Sequence, residues 1–205
     1  MDFFAGRIGS CLDVGAFDGR NLSNTRALIE LGWKAKMVEP DPFNLCKLCE
    51  EMRPFSDRVE IVAAAVSTSG VGWDYLRMDE TEGRGWASSI VPVNPGVLRQ
   101  SPLRYRVPTI RIGELMTEDF QFISIDAEHM DMEILKDMPA RMMKSCEMLC
   151  IEPSDLIARE RMKRYIVDEL GLGFKIHHET PENIMASRIL PSSKPANLDP
   201  SRRTP

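Results

Sequence analysis

Two stretches constrain this chain more than any others: Cys11-Leu-Asp-Val-Gly-Ala-Phe-Asp-Gly-Arg20, and Val38-Glu39-Pro40-Asp41-Pro42. The first is a short apolar run ending in Asp13, after which Gly15 and Gly19 let the backbone turn tightly. Asn21-Leu-Ser-Asn-Thr25 then opens a helix predicted over about 22–31, with Leu22, Ala27, Leu28 and Leu31 apolar and Gly32 placed to end it. A second apolar run, Ala35–Val38, ends in Glu39. Strand, glycine turn, helix, strand and terminal acid form the first half of a nucleotide-binding βαβ unit. The glycines admit a ligand close to the backbone, and the acid can accept hydrogen bonds from both ribose hydroxyls.

A nicotinamide fingerprint would place glycines near positions 15, 17 and 20, where this chain has Phe17 and Arg20 at the last two. The loop reads Asp-Val-Gly-Ala-x-x-Gly instead. That form suits S-adenosylmethionine (SAM), which has an adenine and a ribose but no pyrophosphate. Asp13 can receive its ammonium, and loop N–H groups near the helix start its carboxylate.

The remaining elements repeat the pattern. Asp41 and Pro42 are an N-cap and a first-turn proline for a helix through Leu45, Leu48 and Met52, stopped by Pro54. Residues 58–67 read as one strand buried on both faces, with small Ala64 and Ala65 at its end to lie beside an adenine ring. Residues 68–108, rich in Gly and Pro, are too long for a plain loop. They are predicted to be an insertion of one or two hairpins shaping the acceptor pocket, with Arg77, Trp86, Ser88 and Ser89 as candidates. Thr109–Met116 reads as a short helix. Gln121–Asp126 and Glu147–Glu152 are strands ending in acids, each followed by helix signals, and 174–180 and 183–190 are two last strands without a helix between them. The tail, 191–205, has the composition of a disordered segment.

The predicted fold is therefore α/β: a doubly wound, Rossmann-like, mostly parallel seven-stranded sheet with an antiparallel C-terminal hairpin, in one domain over residues 1–190. The acids Asp13, Glu39, Asp126 and Glu152 stand at strand ends, which share one rim in such a sheet, and ligands bind there.

Composition narrows the function. With 205 residues, 43% hydrophobic, the chain is long enough for one real core. A net charge of −5 with dispersed Lys and Arg argues against nucleic acid as a partner. No apolar run approaches the ~20 residues of a membrane span, and the N-terminus lacks a signal-peptide pattern, which places the protein in the cytoplasm. Five cysteines, an odd number, fit a reducing compartment. The C-x-x-C at Cys46 and Cys49, like Cys146 and Cys150, reads as small buried apolar groups rather than a metal site.

The ordered motifs resemble the FkbM family of class I SAM-dependent methyltransferases. Asp13-Val-Gly-Ala-x-x-Gly19 is similar to its first motif and Val38-Glu-Pro-Asp-Pro42 to its second. Thr109-Ile-Arg-Ile-Gly-Glu-Leu is similar to the segment before its fourth strand, and Ile125-Asp126-Ala-Glu128 with Asp131 and Glu133-Ile-Leu-Lys136 to its Ile-Asp-Val-Glu-Gly-x-Glu-x-x-Val-Leu-Lys block. His129 stands where the family usually has Gly.

The resemblance implies O-methylation of a hydroxyl on a small-molecule, sugar or lipid-like acceptor. It assigns Asp13, Gly15, Ala16 and Gly19 to the methionine end of SAM and Glu39 to its ribose. Pro40, Asp41, Ala64 and Ala65 would flank its adenine, with Asp126 near the transferring methyl. His129, Asp126 and Glu128 are the candidate bases. Asp126 with Glu152 offers two carboxylates to Mg²⁺ but no clear third ligand, so a metal is the less favoured route. The alternatives are a nicotinamide-dependent oxidoreductase and a non-catalytic partner on the same fold.

Overall fold

A computed structural model of the protein describes residues 2–4, 6–79, 88–90 and 100–188. Trp86 and the tail from 191 lie outside these residues.

Seven strands make the main sheet. β1 (Ser10–Val14), β2 (Lys34–Val38) and β3 (Val59–Val62) run parallel to β7 (Phe122–Ile125) and β8 (Met148–Ile151). β9 (Lys175–Glu179) and β10 (Ile184–Ser187) form an antiparallel hairpin, and β10 pairs antiparallel with β8. The order across the sheet is β3-β2-β1-β7-β8-β10-β9. The order in which strands are added reverses between β1 and β7, which are themselves parallel, and this is the switch point at which such sheets open a crevice. The doubly wound sheet with its C-terminal hairpin is thus the fold the motifs predict.

Period-two alternation splits the core in two. Leu12, Val14, Ile123, Ile125, Leu149 and Ile151 face one way, onto α3 (Ile112–Leu115), α4 (Asp131–Asp137) and the later part of α5 (Leu156–Arg164) at Met162, with Phe120 and Ile134 fully buried. Cys11, Ala35, Met37, Phe122 and Cys150 face the other way, onto α1 (Arg26–Glu30) and α2 (Pro42–Met52) through Ile29, Trp33, Leu48 and Met52. α2 starts as its sequence dictates: Asp41 Oδ1 accepts the N–H groups of Phe43 at 2.8 Å and Asn44 at 3.4 Å.

Four sequence expectations are corrected. The first helix covers only Arg26–Glu30, and Leu22 is 83% exposed with φ 56°. Asp18 accepts the N–H groups of Arg20 and Asn21, and Ser23 those of Thr25 and Arg26, so local side-chain acceptors hold 18–25 in turns.

The segment 58–67 is not one doubly buried strand. β3 is an edge strand whose side chains are partly or fully exposed, and a tight turn, Ala64 N–H to Val62 O at 3.1 Å, breaks it from β4 (Ala65–Val66). β4 joins a second sheet, β4-β6-β5, with β5 (Gly72–Asp79) antiparallel to β6 (Gln100–Ile110). Thr109 and Ile110 therefore belong to a strand, not to the short helix that follows.

Cys46 and Cys49 are exposed on α2, because its buried face is set by Asn44, Leu48 and Met52. Among the described residues, no helix is long and apolar enough to cross a membrane.

Candidate active site

The turn after β1 is pinned to β2 by two bonds, Gly15 N–H and Ala16 N–H to Val38 O at 2.9 and 3.0 Å. Gly15 has φ 81°, and a Cβ there would lie 1.7 Å from the Asp126 carbonyl oxygen, so only glycine lets β1 and β7 come together at this rim. Around the rim lies a cleft of about 460 Å³.

Its floor is carboxylic. Asp13 is buried, accepts the Thr25 hydroxyl at 2.5 Å and lies opposite Ser124, its register partner on β7. Burial pushes its carboxyl up to about 6 against that hydroxyl donor. Glu39 accepts the Phe17 N–H at Oε2 and the Asp41 N–H at Oε1, both at 2.8 Å. Burial outweighs these bonds and raises Glu39 to about 8. Asp126 follows β7 and Glu152 follows β8, side by side at the ends of paired strands. Desolvation, then the neighbouring Glu152, Glu128 and Asp131, raises Asp126 well above the usual carboxylate range. Asp131 caps the loop behind them, accepting the Ala127 N–H at 2.7 Å, and burial raises it to about 7.

The second sheet supplies a wall. Leu76 of β5 lines the cleft, as do Ser88, Ser89 and Ile90. Ser89 bridges Arg77 through paired backbone bonds, its hydroxyl donates to the Glu128 carbonyl at 2.7 Å, and the Ser88 hydroxyl reaches Asp41 at 3.5 Å. These residues span the cleft from the β2 side to the β7 side. The β9–β10 turn closes the far end with Thr180, Glu182 and Asn183.

Asp13, Gly15, Ala16, Glu39, Pro40, Ala64, Ala65, Asp126 and Glu128 line this one cleft. Gly19, Asp41 and His129 are not among its lining residues. Gly19 turns beneath α2, where an added Cβ would meet the ends of Leu48 and Met52 at 2.5 and 2.7 Å. Asp41 is the buried cap of α2, and His129 sits half-buried in the β7–α4 loop with φ 76°. Sequence reading missed Phe17, Asn21, Asn24 and Ser124, whose roles come from turns and register, and the β9–β10 turn, signalled only by a polar Thr-Pro-Glu-Asn. Among the described residues, no group of His, Cys, Asp and Glu side chains has the geometry of a metal site. Burial lifts the Cys146 and Cys150 thiols to about 12, which leaves them inert.

The family profile of the FkbM methyltransferase domain matches residues 13–170, more than half of the chain. This chain belongs to the FkbM methyltransferase family. No curated protein matches it. The FkbM methyltransferase of Methylobacillus flagellatus superposes with a TM-score of 0.58 at 16% identity, over 89% of this chain and 44% of that one. A proposed rRNA methylase from Clostridium thermocellum gives 0.51 at 7% identity, covering 90% of this chain and 89% of the other. A proposed tRNA (m1A22) methyltransferase from Streptococcus pneumoniae gives 0.50 at 12%, covering 93% and 69%. At such identities these likenesses show the fold. The FkbM domain here spans less than half the length of its solved family relative.

Proposed function

We propose that this FkbM domain moves the methyl group of SAM to a hydroxyl of a small-molecule or sugar acceptor. One observation carries the reading. Six carboxyl side chains (Asp13, Glu39, Asp126, Glu128, Glu152 and Glu182) line a single cleft that holds no Lys, Arg or His among its described residues. That donor set fits a cofactor whose sulfonium and ammonium outweigh its one carboxylate.

In this reading Glu39 takes the ribose hydroxyls, and Asp13 with the turn at Gly15 and Ala16 takes the methionine end. Pro40, Ala64 and Ala65 flank the adenine. Gly19 and Asp41 act one step back, by seating the turn and capping α2. When bound, SAM supplies a methyl group already made electrophilic by its sulfonium, so the chain's own work is alignment and proton removal. Asp126, beside Glu152, takes the acceptor's proton in its ionised form, which burial disfavours in the free site and a bound sulfonium would favour. Glu128 lines the same end of the cleft and is the alternative base, whereas His129 lies outside the lining. Free cysteines support a reducing, cytoplasmic setting.

Calorimetric titration with SAM, beside one with NADH, tests the proposal. SAM is expected to bind and NADH to give no isotherm. Glu39→Ala and Asp13→Ala should each weaken SAM roughly 10- to 100-fold, the loss of hydrogen bonds to a charged group. Unchanged SAM isotherms in both variants would overturn it. Isotope-labelled SAM with an acceptor panel then identifies the hydroxyl.

A further inference from the structure

The outer face of the β5–β6 hairpin has a character opposite to that of the cleft. Trp73, Tyr75 and Arg77 alternate to one side of β5, and the register sets Pro108, Arg106 and Arg104 directly across from them. Trp73 is 61% and Tyr75 52% exposed, and Arg104 and Arg106 are exposed. The Arg106 guanidinium lies 5.0 Å over the Trp73 ring. Arg77 faces Arg104 across the strands, a like-charge pairing that costs stability. Among the described ion pairs, none involves these three arginines. In a chain of net charge −5 this is a local reversal of sign, assembled by strand pairing from residues far apart in the sequence.

The hairpin's inner face is ordinary by comparison: Leu76 and Val107 pack with Ala65, and Leu76 lines the cleft. Arg77 links the two sides, its guanidinium donating to the Ile90 carbonyl at 2.7 Å on the cleft wall.

Exposed aromatic rings stack on flat apolar faces, and arginine forks pair with carboxylates. The cleft meanwhile offers carboxylates and, among its described residues, no cation. A ligand matching both surfaces carries negative charge away from the group that reacts. RNA does not, since each of its units brings a phosphate close to its hydroxyls. An acidic glycan does: neutral hydroxyls on one ring can enter the cleft while charged rings stay outside.

We propose that the outer face of the β5–β6 hairpin, through Trp73, Tyr75, Arg104 and Arg106, docks an acidic glycan whose neutral ring is the methyl acceptor. The docking of the chain stands on the hairpin face alone, and the role of its neutral ring rests on the transferase reading above.

The test is titration of the full chain, saturated with S-adenosylhomocysteine, with an oligouronate, a neutral malto-oligosaccharide and a single-stranded RNA oligomer. The oligouronate is expected to bind best and to weaken as salt rises. Trp73→Ala and the Arg104→Ala, Arg106→Ala pair should each weaken it about tenfold, with S-adenosylhomocysteine affinity unchanged within about twofold. Tighter binding of RNA, equal binding of the neutral sugar, no binding of the oligouronate, or wild-type affinity in both variants overturns the docking proposal. Failure of S-adenosylhomocysteine to bind counts against the transferase reading instead, and the same titrations without it still decide the docking.

Discussion

Glu39 and Phe17 are joined by a 2.8 Å hydrogen bond, the Phe17 backbone N–H donating to Oε2. The other oxygen of the same carboxyl group receives the Asp41 N–H. One buried side chain thus fastens the turn after β1 to the entry of α2, and the same residue lines the cleft. The groups that organise the site are the same groups whose ionisation is disfavoured by burial, and this couples folding to ligand capture.

Stability of the ligand-free protein is expected to fall as pH rises from about 5 to 8.5. Asp13 at about 6, Asp131 at about 7 and Glu39 at about 8 are raised above their ordinary 3.8, 3.8 and 4.5, and Asp126 is raised too. The unfolded chain gives up these protons near pH 4, so between there and pH 8 the folded chain holds more of them. Their contribution is complete below pH 4 and is lost as pH climbs through the folded values. A cation bound in the cleft favours the ionised forms, so SAM affinity should rise over the same interval. Calorimetric melting with and without SAM checks both, and a flat or rising ligand-free profile contradicts the first.

Gly15→Ala should destabilise far more than Gly19→Ala. At 15 the methyl group would meet a backbone oxygen at 1.7 Å, and β1 and β7 would have to part. At 19 it would meet the movable ends of Leu48 and Met52. Losses of roughly 3 kcal/mol or more and about 1–2 kcal/mol are expected, the first lowering the melting point by about 6–12 °C. Denaturant unfolding of the two variants, beside SAM titration, compares them.

The mostly parallel strands, the closing hairpin and the strand-end acids were legible because each rests on local rules: apolar runs, a glycine turn, an acid where a run stops. What escaped depends on pairing across the chain. The arginines at 77, 104 and 106 look dispersed in the sequence and become one face only when β5 pairs with β6. Asn24 reaches the site through Ser124, 100 positions away. The apolar spacing of Leu22 suggested helix, but Asp18 and Ser23 offered the backbone nearer acceptors and won.

Ser89→Ala should loosen the wall of the cleft without unfolding the domain. Its hydroxyl ties the wall to the Glu128 carbonyl at 2.7 Å, and its backbone holds Arg77. Losing one hydrogen bond of about 1 kcal/mol corresponds to roughly fivefold faster exchange of the Arg77 amide. Hydrogen exchange should show that change at residues 72–77, with protection of β1 and β7 unaltered. Equal loss across the main sheet would mean that the wall is not a separately opening unit.

His129→Gly should stabilise the protein. Glu128 and His129 hold consecutive left-handed backbones, φ 45° and 76°, in the loop between β7 and α4. The loop takes this path because the Asp131 carboxyl captures the Ala127 N–H four residues back, drawing the chain into a turn before the helix can start. Glycine adopts such angles without the steric cost of a side chain, although it loses more entropy on folding. A net gain of about 1 kcal/mol, or roughly 2–4 °C in melting temperature, is expected. Transferase activity measured on the same variant separates the candidate bases. Retained turnover agrees with Asp126 as proton acceptor, whereas a more stable but inactive variant would return that role to the imidazole.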